Sequence, residues 1–169
     1  PQRRDAQRLR IAERRAAHGH GFAGLASQFN IERFSGISAT LAMARTCIAE
    51  AIAFARERQT FGKRLIDHQS MRHKIVEMIQ RLKAAYAFLH ILVWRFQRGE
   101  APVADLALLK VQATTTLEHC APESLQVLGG RAYTGDNRVE RIYREARIFV
   151  IGGGSEEILR DLAAKQMGF

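Results

Sequence analysis

The chain has little cysteine, little proline and no long uninterrupted apolar run. Its 169 residues include 2 cysteines, 3 prolines and 1 tryptophan. Two cysteines cannot form a disulfide framework, and Cys47 and Cys120 both lie in helix-like apolar stretches, so we expect reduced, buried thiols. No apolar run approaches the roughly 18 to 20 residues of a membrane-spanning helix, and the first residues are too polar for a secretory signal. We therefore expect no membrane span.

The sequence also has no alternating period-two segment, no internal repeat and no low-complexity tract. These absences argue against β-sandwiches and repeat architectures. With 169 residues, 47% of them hydrophobic, the chain is long enough for one domain with a substantial core.

Apolar residues recur at steps of three and four over long stretches, which is typical of amphipathic helices. This periodicity predicts three long helices, over about 30–58, 67–98 and 103–128, and a shorter one that begins at Ser155. Pro122 predicts a kink or break in the third helix. The sequence thus predicts an all-α fold, an up-down bundle of three long helices plus a shorter C-terminal helix.

The net charge is +9 and the pI is about 10.4, and a large share of this charge lies at the N-terminal end. Residues 1–18 carry six arginines against Asp5 and Glu13, which accounts for +4 of that charge. The segment reads either as a basic arm or targeting peptide or as a poorly defined N-terminus, and we favour the second reading. We expect residues 1–20 to lie outside the fold and residues 21–169 to form the domain. Because the cations are not interleaved with aromatic residues, we expect no nucleic-acid binding.

Three connecting segments carry candidate binding chemistry. Residues 58–64, Arg-Gln-Thr-Phe-Gly-Lys-Arg, could grip a phosphate and stack a flat ring, or could form a solvated basic turn. Residues 126–130 end in two glycines that either cap a helix or present backbone N–H groups to a ligand. Residues 152–155, Gly-Gly-Gly-Ser, lead into a helix N-terminus that favours an anion, but they lack the ending of a Walker loop. Histidine spacing predicts no metal site.

In their order and spacing these segments resemble the acyl-CoA dehydrogenase family, in particular its C-terminal helical domain. The resemblance covers about residues 21–168 and rests on several spaced motifs occurring together. The matching segments are residues 32–33 (Glu-Arg), 58–63, 68–69 (His-Gln), 126–130, 139–147 and the glycine-serine tract 152–155.

The resemblance implies a homotetrameric flavoenzyme that binds FAD across a subunit interface. Such an enzyme oxidises a fatty or branched acyl-CoA to the trans-2-enoyl-CoA and passes electrons to an electron-transfer flavoprotein. It implies a set of FAD contacts, some to the cofactor of a neighbouring subunit and some within the subunit. The first group comprises Arg58, Thr60, Phe61, Gln69, Gln126, Gly129 and Gly130, and the second comprises Ser155 and Glu157.

The resemblance also concerns the base that removes the α proton of the thioester. Many members carry this glutamate in the terminal loop, where this chain has Gly153. Either the chemistry is lost, or the base has moved to the position used by isovaleryl- and long-chain-type members, a glutamate followed by arginine. Glu32 and Arg33 match that position, and we prefer the second explanation. Glu32 is then the base, Arg33 supports it, and the Gly153 backbone N–H polarises the thioester carbonyl.

The family places two further domains before this one, so the chain alone is expected to be weakly active or inactive. A second hypothesis, from another class, is a non-catalytic helical oligomerisation or interaction module derived from the family. The resemblance implies location in the bacterial cytoplasm or the mitochondrial matrix.

Overall fold

The computed structural model describes residues 32–134 and 137–169. The predicted basic segment 1–20 and the start of the predicted domain, residues 21–31, lie outside the described residues. Residues Arg33–Phe169 form one compact unit, which contains nearly all the described elements. In chain order these elements are α1 (Glu32–Glu57), β1 (Gln59–Thr60), β2 (Lys63–Arg64), a 3-10 helix (Leu65–Asp67), α2 (Gln69–Gln97), α3 (Val103–Leu128), α4 (Gly130–Tyr133), α5 (Arg138–Ile151) and α6 (Glu156–Met167).

The predicted all-α fold with three long helices is confirmed, and α3 has the predicted ends. Two ion pairs show that α2 and α3 are antiparallel. Lys74 near the start of α2 pairs with Glu123 near the end of α3. Arg95 near the end of α2 pairs with Asp105 at the start of α3. The apolar stripes of the two helices therefore face each other along their whole length.

Helix α3 is the centre of the packing, because α2, α5 and α6 all contact it. The main core joins apolar residues of α1, α2 and α3 with residues of α4 and α5. Its largest side chains exposed by 1% or less are Ile37, Leu41, Met78, Leu92, Leu106, Leu109 and Leu117. A smaller cluster attaches α6 to α3 through Ala107, Val111, Leu159 and Ala163. That attachment fixes the start of α6, and with it the loop that precedes it.

Pro122 does not break α3, which is helical from Val103 to Leu128. The sequence predicted a kink or break at Pro122: the break is wrong, and the kink stays a prediction. Proline removes one backbone hydrogen bond, but Cys120, Ala121 and Ser124 on either side of it are all buried. Packing of these side chains holds both halves of the helix in place.

Helix α5, Arg138–Ile151, is not among the predicted helices. Its buried residues are Val139, Ile142, Ala146 and Val150, which follow helical spacing. Asn137 caps it, because the Asn137 side chain accepts a hydrogen bond of 2.8 Å from the Glu140 backbone N–H. The many arginines and glutamates of this segment hid its apolar stripe, and they lie mostly on its exposed side.

A two-stranded hairpin follows α1, with Gln59 opposite Arg64 and Thr60 opposite Lys63. Phe61 and Gly62 form its turn with φ values of 52° and 78°. Positive φ at both turn residues matches the twist of a hairpin but is unfavourable for phenylalanine. The Phe61 ring is 98% exposed. The hairpin thus combines a strained backbone at Phe61 with an aromatic ring that lies almost wholly in solvent.

Helix α1 is long and apolar enough to cross a membrane when judged by length and composition alone. The relevant window has a mean hydropathy of 1.4, and 39% of it is buried inside the structure. A core helix meets the same criterion, so the criterion is weak evidence for a span. The expected absence of a membrane span stays a prediction.

Cys47 and Cys120 are free and buried, as predicted. Burial is the main cause that raises the pKa of each thiol to about 12, since a thiolate loses its hydration inside the core. The proximity of Cys120 adds to the rise in the pKa of Cys47. Both thiols therefore behave as small apolar side chains of the core.

Candidate active site

The glycine loop, residues 152–154, connects α5 to α6. A Cβ atom at Gly152 would lie 2.9 Å from the backbone oxygen of Ile148, so only glycine fits there. Gly153 has φ 71°, in the left-handed region that glycine adopts at little cost. The tract is therefore required by the backbone path between the two helices.

Arg33 lies against this loop. Its Nε donates a hydrogen bond of 3.2 Å to the backbone oxygen of Gly153. A Cβ atom at Gly153 would point toward Arg33, 3.9 Å from its Cγ. The structure thus brings the second residue of the Glu32-Arg33 pair to the slot that lacks a carboxylate. Glu32 is the first described residue of α1 and is exposed, and its role as base stays a prediction.

Lys110 is a buried cation that the sequence analysis missed. It lies in α3 with 5% of its surface exposed, between Leu109 and Val111. Its Nζ donates to the backbone oxygens of Val150 at 2.9 Å and Gly154 at 2.8 Å. Burial is the first cause that lowers its pKa, and Glu156 acts in the opposite direction. The sequence signal that could have revealed Lys110 is the presence of a lysine inside an otherwise apolar stretch.

Ser155 and Glu157 stand at the start of α6. Ser155 is the N-cap, and no side-chain capping hydrogen bond from it is present. The pKa of Glu157 is lowered, first by a hydrogen bond from its own backbone N–H and then by one from the Ser155 side chain. The predicted contact of both residues with FAD stays a prediction.

A second group of predicted residues lines one surface pocket of about 530 Å³, which we call the turn pocket. Arg58 and Thr60 come from the turn after α1, and Gly129 and Gly130 come from the end of α3. Two motifs that lie about 70 residues apart in the sequence thus share a concave surface. The remaining lining residues are Phe54, Leu65, Val127, Leu128 and Arg131.

The turn pocket combines two cations, Arg58 and Arg131, with a hydroxyl and a glycine backbone. The Thr60 hydroxyl lies 3.1 Å from His68 Nε2, which orients it. Gly129 ends α3 with φ 59° and ψ −139°. The Gly129 N–H donates to the Leu125 oxygen at 2.9 Å, so the guanidinium groups and the Thr60 hydroxyl are the groups that suit a diphosphate. Three further predicted contacts are exposed and lie outside the lining, namely Phe61, Gln69 and Gln126.

Replacing Gly129 with alanine should lower the free energy of unfolding of the chain by about 1 to 3 kcal/mol, because its backbone conformation is strained for any residue with a Cβ. A Cβ there meets no atom within 4 Å, so strain alone is the cause. Gly130→Ala is the matched control: it has equal space, no positive φ and a helical position. Urea unfolding should show no loss for Gly130→Ala, and an equal loss for both variants would contradict the argument.

Among residues 32–134 and 137–169, no three histidine, cysteine or acidic side chains are grouped as a metal site requires. The prediction of no metal remains untested by that finding.

Comparison with known proteins defines the class. The family model described as acyl-CoA dehydrogenase, C-terminal domain, matches residues 19–168. The acyl-CoA dehydrogenase AFT10-1 of Alternaria alternata is 38% identical over 157 residues, which cover 86% of this chain and 36% of that protein. A 3-sulfinopropanoyl-CoA desulfinase of Cupriavidus necator is 34% identical over 146 residues, covering 85% and 36%.

A solved acyl-CoA dehydrogenase from Slackia heliotrinireducens superposes with a TM-score of 0.82 at 28% identity, over 86% of this chain and 38% of that one. The chain belongs to the acyl-CoA dehydrogenase family and corresponds to its C-terminal helical domain. It spans little more than a third of the length of these relatives.

Proposed function

We propose that the chain is the C-terminal part of an FAD-dependent enzyme that oxidises the Cα–Cβ bond of an acyl-CoA thioester to the trans-2-enoyl-CoA. The contact between Arg33 and the Gly153 carbonyl carries this proposal. It joins the Glu32-Arg33 pair to the loop in which relatives place the base. A chain that had merely lost its base would not require an arginine at the vacant slot.

FAD, when bound, accepts the hydride that leaves the β carbon. The Glu32 carboxylate takes the α proton. The N–H of Gly153 donates to the thioester oxygen and stabilises the charge that develops there. Arg33 holds the Gly153 carbonyl, and thereby the orientation of that peptide.

The turn pocket supports FAD as the cofactor, since its donors fit a diphosphate. We propose that it serves the cofactor of a neighbouring subunit in a homotetramer. The exposed Phe61 ring favours this arrangement, because its backbone is strained and its ring is 98% exposed, with one edge contact to His68 in its own chain. We further propose an electron-transfer flavoprotein as acceptor, and the bacterial cytoplasm or the mitochondrial matrix as the location.

The proposal is tested on the complete gene product that contains this chain. We expect a purified protein with flavin absorbance that is bleached anaerobically by one of butyryl-, octanoyl-, palmitoyl- or isovaleryl-CoA. The enoyl-CoA product is then identified by mass spectrometry. A protein that takes up no FAD, even as an oligomer, would contradict the proposal and support the non-catalytic interaction module.

A relative with a different activity supplies one alternative. The Cupriavidus necator protein is a desulfinase of a CoA thioester, so the family is not limited to dehydrogenases. Flavin binding without bleaching by any of the four acyl-CoA esters, together with consumption of 3-sulfinopropanoyl-CoA, would favour that activity.

Arg58→Met should weaken FAD binding by about 10- to 100-fold, the loss expected for a charge-assisted hydrogen bond. Arg56→Met is the control, since Arg56 is an exposed arginine two residues earlier, at the end of α1, and does not line the turn pocket. Fluorescence titration of the apoprotein with FAD measures both. Equal affinities for the two variants would exclude Arg58 as a cofactor contact.

A further inference from the structure

Lys110 occupies a costly position for a cation. Only 5% of its surface is exposed, and its neighbours Leu106, Ala107 and Leu109 are fully buried in α3. A buried ammonium group persists only when polar partners replace its lost hydration. The partners of Lys110 therefore indicate what this residue is for.

Both observed partners are backbone carbonyls at the two ends of the connection between α5 and α6. Val150 lies in the last turn of α5, and Gly154 is the last residue of the glycine loop. Nζ donates to both oxygens within 2.9 Å. Arg33 binds the carbonyl between them, that of Gly153. Two cations from two different helices thus hold three carbonyls of a five-residue stretch.

The backbone of residues 150–154 is stabilised by these hydrogen bonds in a conformation that it would not hold by itself. Gly153 and Gly154 have φ values of 71° and 111°, and three consecutive glycines have more accessible backbone conformations than any other tripeptide. Without external hydrogen bonds the Gly153 peptide could rotate, and its N–H would lose a fixed direction. The Lys110 bonds are made from α3, the most buried helix of the described structure.

The charged groups near Lys110 act on its pKa in opposite directions. Burial and the nearby Arg33 lower its pKa, whereas Glu156 on α6 and Glu118 on α3 act to raise it. The side chain of Glu156 is 14% exposed and pairs with Arg160 at 2.8 Å, so its negative charge is shared between Arg160 and the field at Lys110.

We propose that Lys110 is a positioning residue for catalysis: it fixes the glycine loop so that the Gly153 N–H points at the thioester oxygen. The inference rests on the proposed function for the use of that N–H. Lys110 does not touch the substrate, and its effect passes through the carbonyls of Val150 and Gly154.

Lys110→Met keeps the length of the side chain and removes its donors. In the complete enzyme we expect kcat to fall by about 10- to 100-fold, the effect of a small misplacement of a catalytic group, with the KM for the best acyl-CoA and the bound FAD nearly unchanged. Lys110→Arg, which retains two donors, should recover part of kcat. Lys74→Met is the control, because Lys74 is a half-buried lysine that links α2 to α3 away from the loop. It should change stability without changing kcat.

A second measurement does not depend on activity. Hydrogen exchange of the 169-residue chain, followed by mass spectrometry on peptides covering residues 150–155, should be faster in Lys110→Met than in wild type and in Lys74→Met. Unchanged exchange would overturn the proposal, as would faster exchange with an unaltered kcat, which would make Lys110 a structural anchor only.

If the wild type is inactive but loop exchange is faster in Lys110→Met, the proposed function is contradicted, and with it the catalytic use of the loop. The contact by which Lys110 fixes the loop would still stand. If Lys110→Met does not fold, Lys110→Gln takes its place with the same expected order of effects.

Discussion

Glu32→Gln in the complete enzyme should lower kcat by about 10²- to 10⁴-fold, the usual contribution of a general base, while FAD content stays the same. The amide has nearly the shape of the carboxylate but cannot accept the α proton. The prediction depends on the Arg33 contact with Gly153, which joins the Glu32-Arg33 pair to the glycine loop. Steady-state kinetics with a dye acceptor, normalised to bound flavin, measures the effect.

The matched control is Glu57→Gln, at the other end of α1. Glu57 is an exposed glutamate on the same helix and lies outside both the glycine loop and the turn pocket. We expect turnover within about twofold of wild type for this variant, as for most exposed surface changes. Near-normal turnover of Glu32→Gln would exclude Glu32 as the base. If the wild type then still oxidised acyl-CoA, the base would have to lie elsewhere.

Ile75→Ala should lower the free energy of unfolding of the 169-residue chain by about 2 to 5 kcal/mol, through lost burial and the cavity left behind. Ile75 is 5% exposed and packs in the main core. An effect of this size is a large fraction of the stability of a typical domain, which is about 5 to 15 kcal/mol. Chemical denaturation followed by circular dichroism measures it.

Ile91→Ala on the same helix separates burial from residue type. Ile91 is 56% exposed, so the same change should shift the free energy of unfolding by no more than about 0.5 kcal/mol. Similar losses for the two variants would mean that the exposed face of α2 is covered in solution. That outcome would indicate self-association of the chain, and the size of both variants by light scattering would reveal it.

The long helices were predictable because their signal is local. Each of α1, α2 and α3 spans enough turns for a three- and four-residue period to stand out, and their observed ends fall within about two residues of the predicted ends where both are described. Helix α5 has the same kind of signal in Val139, Ile142, Ala146 and Val150. With only four apolar positions among many charged residues, this signal is too weak to predict a helix from the sequence.

The site was predictable only in part, because its contacts are not local. The grouping of Arg58 and Thr60 with the two glycines near residue 130 followed from the family resemblance, and the structure brings them to one pocket. Lys110 could not be placed in the same way. Its partners lie 40 and 44 residues further along the chain and are backbone atoms, which leave no trace in the identity of the residues.

The Phe61 backbone shows a further limit of sequence reasoning. The residue type indicated a stacking surface, but not that it would stand at positive φ at the tip of a hairpin with its ring 98% exposed. Turn conformation depends on the pairing of β1 with β2, which involves only two residues on each side. A strand of that length has no periodicity to detect.

The buried cysteines have a consequence for the chemistry of the folded chain. Only a thiolate reacts readily with oxidants and alkylating reagents, and a pKa of about 12 leaves roughly one thiol in 10⁵ ionised at neutral pH. Cys47 on α1 and Cys120 on α3 are therefore dormant nucleophiles while these helices stay packed. Oxidation of either thiol would therefore show that the bundle had opened, and unreacted thiols would show that the core is intact.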